Sequence, residues 1–316
     1  MNMISFVKTH SRENFIIASL ILLVIFFGLV SDNFLSLATL TTILNQLPAL
    51  TIVTVGMTLI LIVGGIDLSV GSVLGLSAAV VGVAMLHWGL PLYVAVLLGI
   101  GTGMLCGSVN GLLVAYLSLP SFIVTLGMLE IARGLAYITT NSQTVYIGAS
   151  IQKLALPMSG TGISPALVFA LLTVFTGQFL LTKTVLGRYI IAIGTNEQAA
   201  RMSGINTGPH RLLVFCASGA LAGLGGVFSA AYLGAADPNA GGGLELAAIA
   251  AAVIGGTSLM GGRGTIIGAF AGVLIIAVLQ NGLAQMGVSE PAKRLVTGGV
   301  IIIAVFLDSW RLRQHT

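Results

Sequence analysis

Charge is what this sequence has least of. Its 316 residues include thirteen bases and nine acids, so charged side chains make up 7% of the chain against 56% hydrophobic ones. A globular protein carries about 25% charged residues. Without them, a soluble fold of this size has too little polar surface to cover its core. No Asp, Glu, Lys or Arg occurs between Leu68 and Leu129. Apolar stretches of this kind persist where lipid replaces water, because about 20 apolar residues cross the hydrocarbon core of a bilayer. A mean hydropathy of +1.06 agrees. An integral membrane protein, nearly all of it within the lipid bilayer, is the expectation.

Other shortages narrow the function. The two cysteines, Cys106 and Cys216, both lie in apolar runs, which argues against a disulfide framework. The sequence contains no Gly-x-x-x-x-Gly-Lys-Ser/Thr and no Gly-Lys dipeptide, so it holds no P-loop for ATP. Its four histidines form no metal-spaced cluster, and no Ser/His/Asp or Cys/His set suggests covalent catalysis. An enzyme is not expected, nor a metal site. The basic excess, which in a soluble protein would suggest nucleic acid, is read as membrane topology. Lys8 and Arg12 ahead of the apolar run from Phe15 to Val30 have the layout of a signal peptide. With no small-residue cleavage site after it, that run reads as the first span.

Only helices or closed barrels satisfy the backbone in lipid. The runs are long and lack the alternation of membrane strands, so the expected fold is all-α, a polytopic membrane helical bundle forming one domain over residues 1–316. Ten spans are predicted, near 14–31, 43–63, 70–87, 91–116, 120–139, 164–182, 212–233, 246–260, 264–284 and 295–309. With Lys8 and Arg12 in the cytoplasm, six crossings return the chain there for its longest polar segment, about 182–211, which carries Lys183, Arg188, Arg201 and Arg211. Four more crossings bring Arg311 and Arg313 to the same side, and Arg263 falls in a cytoplasmic turn, so nine of the thirteen bases are cytoplasmic. Both termini are expected there. The segment Asn141–Ser164 is an external loop, re-entrant, interfacial or a plain linker.

Glycine is abundant, with 42 residues. Gly99, Gly103, Gly107 and Gly111 recur every fourth residue on one predicted helix, and Gly264, Gly268 and Gly272 on another. That spacing brings helix backbones close, either as packing within one subunit or as a dimer or gating interface. Two segments break apolar runs in the frame Gly-Gly-x-x-Leu-x-x-Gly: Gly64–Gly71, which contains Asp67, and Gly255–Gly262. Asn110-Gly111-Leu112 and Asn281-Gly282-Leu283 recur after them, which suggests a 5+5 inverted repeat. Charges within spans need partners. Glu130 and Arg133, three apart on a helix, are expected to pair. Asp67 reads as a cap for the following helix or as a gating residue. Asp237 and Glu245 flank an outer loop and are expected to be solvent-exposed. The amides Asn45, Gln46, Asn110, Gln280 and Asn281 either line a polar path or bridge helices. In the cytoplasmic segment, Asn196–Ile205 forms a short helix ended by Gly204, with Glu197 and Arg201 at i and i+4 and a smooth surface at Ala199 and Ala200. A helix too short to be stable alone is either an ordinary loop helix or one that docks into something.

Several of these segments resemble a known family. Gly64-Gly65-Ile66-Asp67-Leu68-Ser69-Val70-Gly71-Ser72, Pro120–Gly127, Leu186-Gly187-Arg188-Tyr189, Gly194–Ala200, Ser203–Asn206 and Ala252–Ser258 are similar, in order, to ribose/xylose/galactoside-type permeases of bacterial ABC importers. The resemblance implies a monosaccharide-importing pore subunit of the bacterial inner membrane, paired with a second copy or a paralogous permease. It also implies an ABC ATPase on the cytoplasmic side that binds ATP and Mg, with no cofactor on this chain, and a periplasmic sugar-binding protein outside. Glu197, Ala199, Ala200, Arg201 and Gly204 match the family's Glu-x-Ala-Ala…Gly coupling motif, which docks into the ATPase. In an importer of this kind, the positions of Asp67 and the five amides make them candidates for the gate and path, and the glycine stripes are expected to act as faces on which helices slide. Close relatives carry autoinducer-2, inositol or other polyols. A secondary transporter would instead need a coupling acid or base midway through a span, for which Glu130–Arg133 is the candidate pair.

Overall fold

The computed structural model describes residues 3–158 and 162–313, without side-chain detail for 3–15 and for most of 301–313. The side chains of Lys8, Arg12, Arg311 and Arg313, used above to orient the chain, therefore lie outside the described residues, as do residues 159–161 of the Asn141–Ser164 loop. The fold is a polytopic helical bundle. Its principal helices are α1 (Met3–Val30), α2 (Leu37–Ile62), α3 (Val70–Leu86), α4 (Leu92–Tyr116), α5 (Ser121–Thr140), α7 (Pro165–Lys183), α10 (Thr207–Leu233), α11 (Leu244–Ile254), α12 (Ile266–Gln285) and α13 (Glu290–Arg313). Three short helices intervene: α6 (Ala149–Gln152), α8 (Val185–Thr195) and α9 (Glu197–Met202). Six helices among the described residues (α2, α4, α5, α7, α10 and α12) are long and apolar enough to cross a membrane. Segments 16–30, 70–86, 185–195 and 244–254 are shorter apolar helices.

The eighth predicted span departs most from expectation. Residues 246–260 were read as one crossing, but the helix stops at Ile254. Eleven residues rise about 16 Å, roughly half of a hydrocarbon core about 30 Å thick. Gly255 and Gly256 end it, Gly256 with φ of +98°. Residues 255–265 then turn back before α12 begins at Ile266, where the side-chain oxygen of Gln178 on α7 accepts the N–H groups of Ile266 (2.9 Å) and Ile267 (3.2 Å). Two donors freed by the helix start are thus satisfied inside the bundle.

Glycine explains how the centre closes up. The α4 stripe faces α10 of the same chain: a Cβ on Gly103 would strike the Gly219 carbonyl and come within 2.8 Å of Gly223 Cα, and one on Gly107 within 3.0 Å of Gly219 Cα. Gly99 fits beneath Val81 of α3 and Val227 of α10, and Gly111 beneath Leu212 and Phe215. On α12, Gly268 lies against Gly255, and Gly272 against Ala251 of α11. Gly264, before α12, lies against Thr257 and Ile62. Both stripes are therefore intramolecular seams in which backbone meets backbone. The Asn-Gly-Leu triplets fall differently from the repeat that suggested them: Asn281 is on the first helix after its break, and Asn110 is on the second.

The outer loop is anchored. Val145–Tyr146 pairs antiparallel with Ala235–Ala236, tying Asn141–Ser164 to the end of α10. Cys106 and Cys216 are both free.

Candidate functional site

Two regions gather the predicted residues. The first is the short helix α9. Asn196 caps it, its Oδ1 accepting the Ala199 N–H at 2.9 Å. Gly204, with φ of +82° in open space, turns the chain so that the N–H of Ile205 reaches the Ala200 carbonyl at 3.0 Å. A left-handed residue there favours glycine. The face is less uniform than the two alanines suggested: Ala199 is exposed, but Ala200 is 5% exposed, packed in a cluster with Val114, Leu181 and Ile190. Ala200 anchors the helix, and the outward surface is Gln198, Ala199, Arg201, Met202 and Ser203.

Glu197 also points inward. Its Oε1 accepts hydrogen bonds from Arg201 Nη2 (2.7 Å) and the Thr207 hydroxyl (3.1 Å), and its Oε2 accepts one from Arg211 Nη1 (3.0 Å). Arg201 Nε also donates to Thr207 at 2.9 Å. Partial burial pushes the Glu197 carboxyl up. The Arg201 hydrogen bond, the Arg211 charge, the Thr207 hydrogen bond and the Arg201 charge outweigh it and hold the group below its ordinary value of 4.5. Sequence spacing had shown the Glu197–Arg201 pair. It had not shown Arg211 and Thr207, which belong to the next helix and meet Glu197 only because α9 folds back onto α10. Glu197, Arg201 and Arg211 line a cleft of about 470 Å³ together with Gly64, Ser118 and Ser121. The α9 cluster therefore sits beside the break that precedes α3.

That break is the second region. Residues 66–68, between the end of α2 and the start of α3, are held by side chains of α5. The Ser121 hydroxyl accepts the Ile66 N–H at 3.0 Å, and Thr125 accepts the Leu68 N–H at 3.0 Å while donating to the Ile66 carbonyl at 3.2 Å. Asp67, 1% exposed, takes the N–H and hydroxyl of Ser69 at 2.9 and 2.6 Å, and Asn110 Nδ2 donates to Ser69 Oγ at 3.0 Å. Asp67 and Asn110 thus belong to one buried knot. Glu245, expected on the outer surface, is instead tucked against the start of α3, since a Cβ on Gly71 would strike its carboxylate and the Gly241 carbonyl. The first turns of α3 and α11 meet there.

The expected Glu130–Arg133 pair does not form. Arg133 Nη1 turns to the carbonyls of Pro238 and Ala240, at 2.5 and 3.0 Å, and pins the loop ahead of α11. Glu130 is exposed on the far side of α5. Three of the five path amides do come together: Asn281 Nδ2 donates to Gln46 Oε1 at 3.1 Å, and Gln46 Nε2 donates to the Tyr232 hydroxyl at 2.9 Å. Gln46, Gln280 and Asn281 line a cavity of about 630 Å³ with Gly242, Lys293 and Arg294. Asn45 stands apart from both groups, half-buried, its Oδ1 without a hydrogen-bond partner among the described residues.

With this geometry in view, comparison with known proteins is decisive. Residues 39–305 match the family model described as the permease component of branched-chain amino acid transport systems. The chain belongs to this permease family. It is 39% identical to the ribose import permease protein of Escherichia coli K12 over 308 residues, 96% of both chains. It is 41% identical to the D-allose transport system permease protein of the same organism over 289 residues, 91% of this chain and 88% of that one. The autoinducer 2 import system permease protein of Yersinia pseudotuberculosis is 34% identical over 312 residues, 98% and 88% of the two chains. No solved structure matches significantly. The permease is thus a multi-pass membrane protein of an import-permease family.

Proposed function

We propose that this permease is the pore subunit of an ATP-driven importer that moves a monosaccharide across the bacterial inner membrane, from periplasm to cytoplasm. One observation carries the reading: nearly end-to-end similarity to a ribose import permease, 39% identical over 96% of both chains. The allose relative, at 41%, supports the same class of cargo. The autoinducer-2 relative is more distant at 34%, so a monosaccharide is favoured.

In this reading a separate ATPase binds ATP and Mg, and docks on the exposed residues of α9 with both permease termini on its side of the membrane. A periplasmic binding protein delivers the sugar, and a second permease copy or a paralogue completes the pore. The buried side of α9, through Ala200 and Glu197, passes the ATPase's motion to α10. The glycine seam makes α4 and α10 move as one body rather than slide, because a Cβ-free backbone contact leaves no room for side chains to ride past one another. Purification from the native membrane should yield the permease with its ATPase. Proteoliposomes containing both, with the binding protein and labelled ribose or allose outside, should accumulate the sugar only when ATP is enclosed within. Accumulation that needs a proton gradient and no ATP would refute the proposal.

A further inference from the structure

Glu130 is the tenth of the twenty residues of α5, midway along an apolar helix. Its side chain is exposed and, among the described residues, has no hydrogen-bond or ion-pair partner. The inward face of the helix, formed by Thr125, Met128, Ala132 and Ala136, is buried, and α5 packs on α3 and α4. Gly127, Glu130 and Gly134 lie on the opposite face at i, i+3 and i+7. A Cβ at either glycine would meet nothing within 4 Å. The face is therefore open and uncovered by the rest of the chain, with one carboxylate at its centre.

Three surroundings are available to that face: lipid, a dry interface with another copy, or water. Hydrocarbon disfavours a mid-span charge. A dry interface would need a cation opposite Glu130, because a buried acid is kept only when paired. The mid-span base in the described part of the chain, Arg133, is tied to the Pro238 and Ala240 carbonyls. The other described bases stand near helix ends (Lys183, Arg211, Lys293 and Arg294), in the short helices α8 and α9 (Arg188 and Arg201) or in loops (Lys153 and Arg263). A second copy of this chain would bring another Glu130 and no matching cation. Water remains.

We infer that the Gly127–Glu130–Gly134 face of α5 is the wall of a water-filled path, completed by the second permease copy, and that the Glu130 carboxylate accepts hydrogen bonds from the hydroxyls of the passing cargo. A carboxylate offers acceptor sites only, which suits a polyhydroxylated, uncharged substrate. The flanking glycines leave room for a ring beside it. The choice of cargo and the second copy rest on the proposed function above, whereas the exposure of this face to water does not.

The test uses the assembled importer in proteoliposomes, with Cys106 and Cys216 replaced by Ala and transport confirmed in that background. Single cysteines are then introduced as Gly134→Cys, one turn along the same face where a side chain meets nothing within 4 Å, and, about 100° around the helix from it, Leu135→Cys. A charged, membrane-impermeant methanethiosulfonate reagent should modify Cys at 134 at least tenfold faster than at 135 with ATP present, and saturating sugar should slow that reaction. Equal, negligible rates at both positions would overturn the path. In parallel, Glu130→Gln should transport within a few-fold of the parent, and Glu130→Leu should lose at least tenfold while still assembling with the ATPase. Parental transport by Glu130→Leu would overturn the cargo contact. If the parent moves no sugar with ATP, the proposed function fails, and the thiol rates still decide the path.

Discussion

Replacing Glu197 by Ala tests whether α9 is held by its carboxylate. The change removes three accepted hydrogen bonds. The Arg201 partner is 56% exposed, and an exposed i,i+4 pair contributes about 0.3–0.5 kcal/mol. Arg211 is only 17% exposed, with Glu197 at 31%. A hydrogen bond to a charged group is worth about 1.5–3 kcal/mol, and the partial exposure places this one at the lower end. The sum is about 2 kcal/mol, or roughly 30-fold in an equilibrium at 1.4 kcal/mol per tenfold. A six-residue helix has no stability of its own to absorb that loss. Amide exchange over 197–205 should therefore accelerate about 30-fold in Glu197→Ala, while α4 and α10 stay protected. In the reconstituted importer, sugar moved per ATP hydrolysed should fall. Glu197→Gln, which still accepts from Thr207, should lie between. Exchange within threefold of the parent would refute the reasoning, because Ala200 packing alone would then hold the helix.

Acid should act on the same contact. The folded Glu197 carboxyl lies below its ordinary value of 4.5, so its contribution is complete above that value and is lost as pH falls through the lower folded one. Exchange at α9 should be flat from pH 8 to 5, after correction for intrinsic rates, and should rise below. Gly204→Ala has space for the new methyl but must hold φ of +82°. It should cost about 1 kcal/mol and fray the end of α9, seen in the same exchange experiment. Gly103→Leu forces α4 off α10 and should abolish recovery of monodisperse protein in detergent, whereas Gly101→Leu, with nothing within 4 Å, should elute as the parent does. Asp67→Ala strips the acceptor from the Ser69 N–H and hydroxyl and should destabilise by about 1–3 kcal/mol, read as a lowered thermal midpoint. An unchanged midpoint would mean that Thr125 and Ser121 suffice to hold the break.

Much of this was legible from residue order. Solvent choice, helical spans, glycine seams and the α9 helix each depend on neighbours within a few positions, where period and composition act directly. The errors share one cause. Glu130 and Arg133 have the spacing of a pair, but spacing says nothing of the Pro238 and Ala240 carbonyls, more than a hundred residues away in sequence, that compete for the guanidinium. Residues 246–254 are apolar throughout, and apolarity alone does not distinguish a crossing from a half-helix ended by glycines. Ala199 and Ala200 look alike in sequence and differ only in which one faces Val114 and Leu181.

Scarcity of charge determined that the protein lives in lipid, and long apolar runs without strand alternation determined that its backbone is helical there, because those are requirements of solvent and hydrogen bonding that hold for any packing. Tertiary structure alone decided where the few charges went. It buried Asp67, turned Arg133 toward carbonyls, drew Glu197 between two arginines and left Glu130 facing outward, because the partner that satisfies a charge is chosen by helices that meet in space and not by residues that adjoin in the chain.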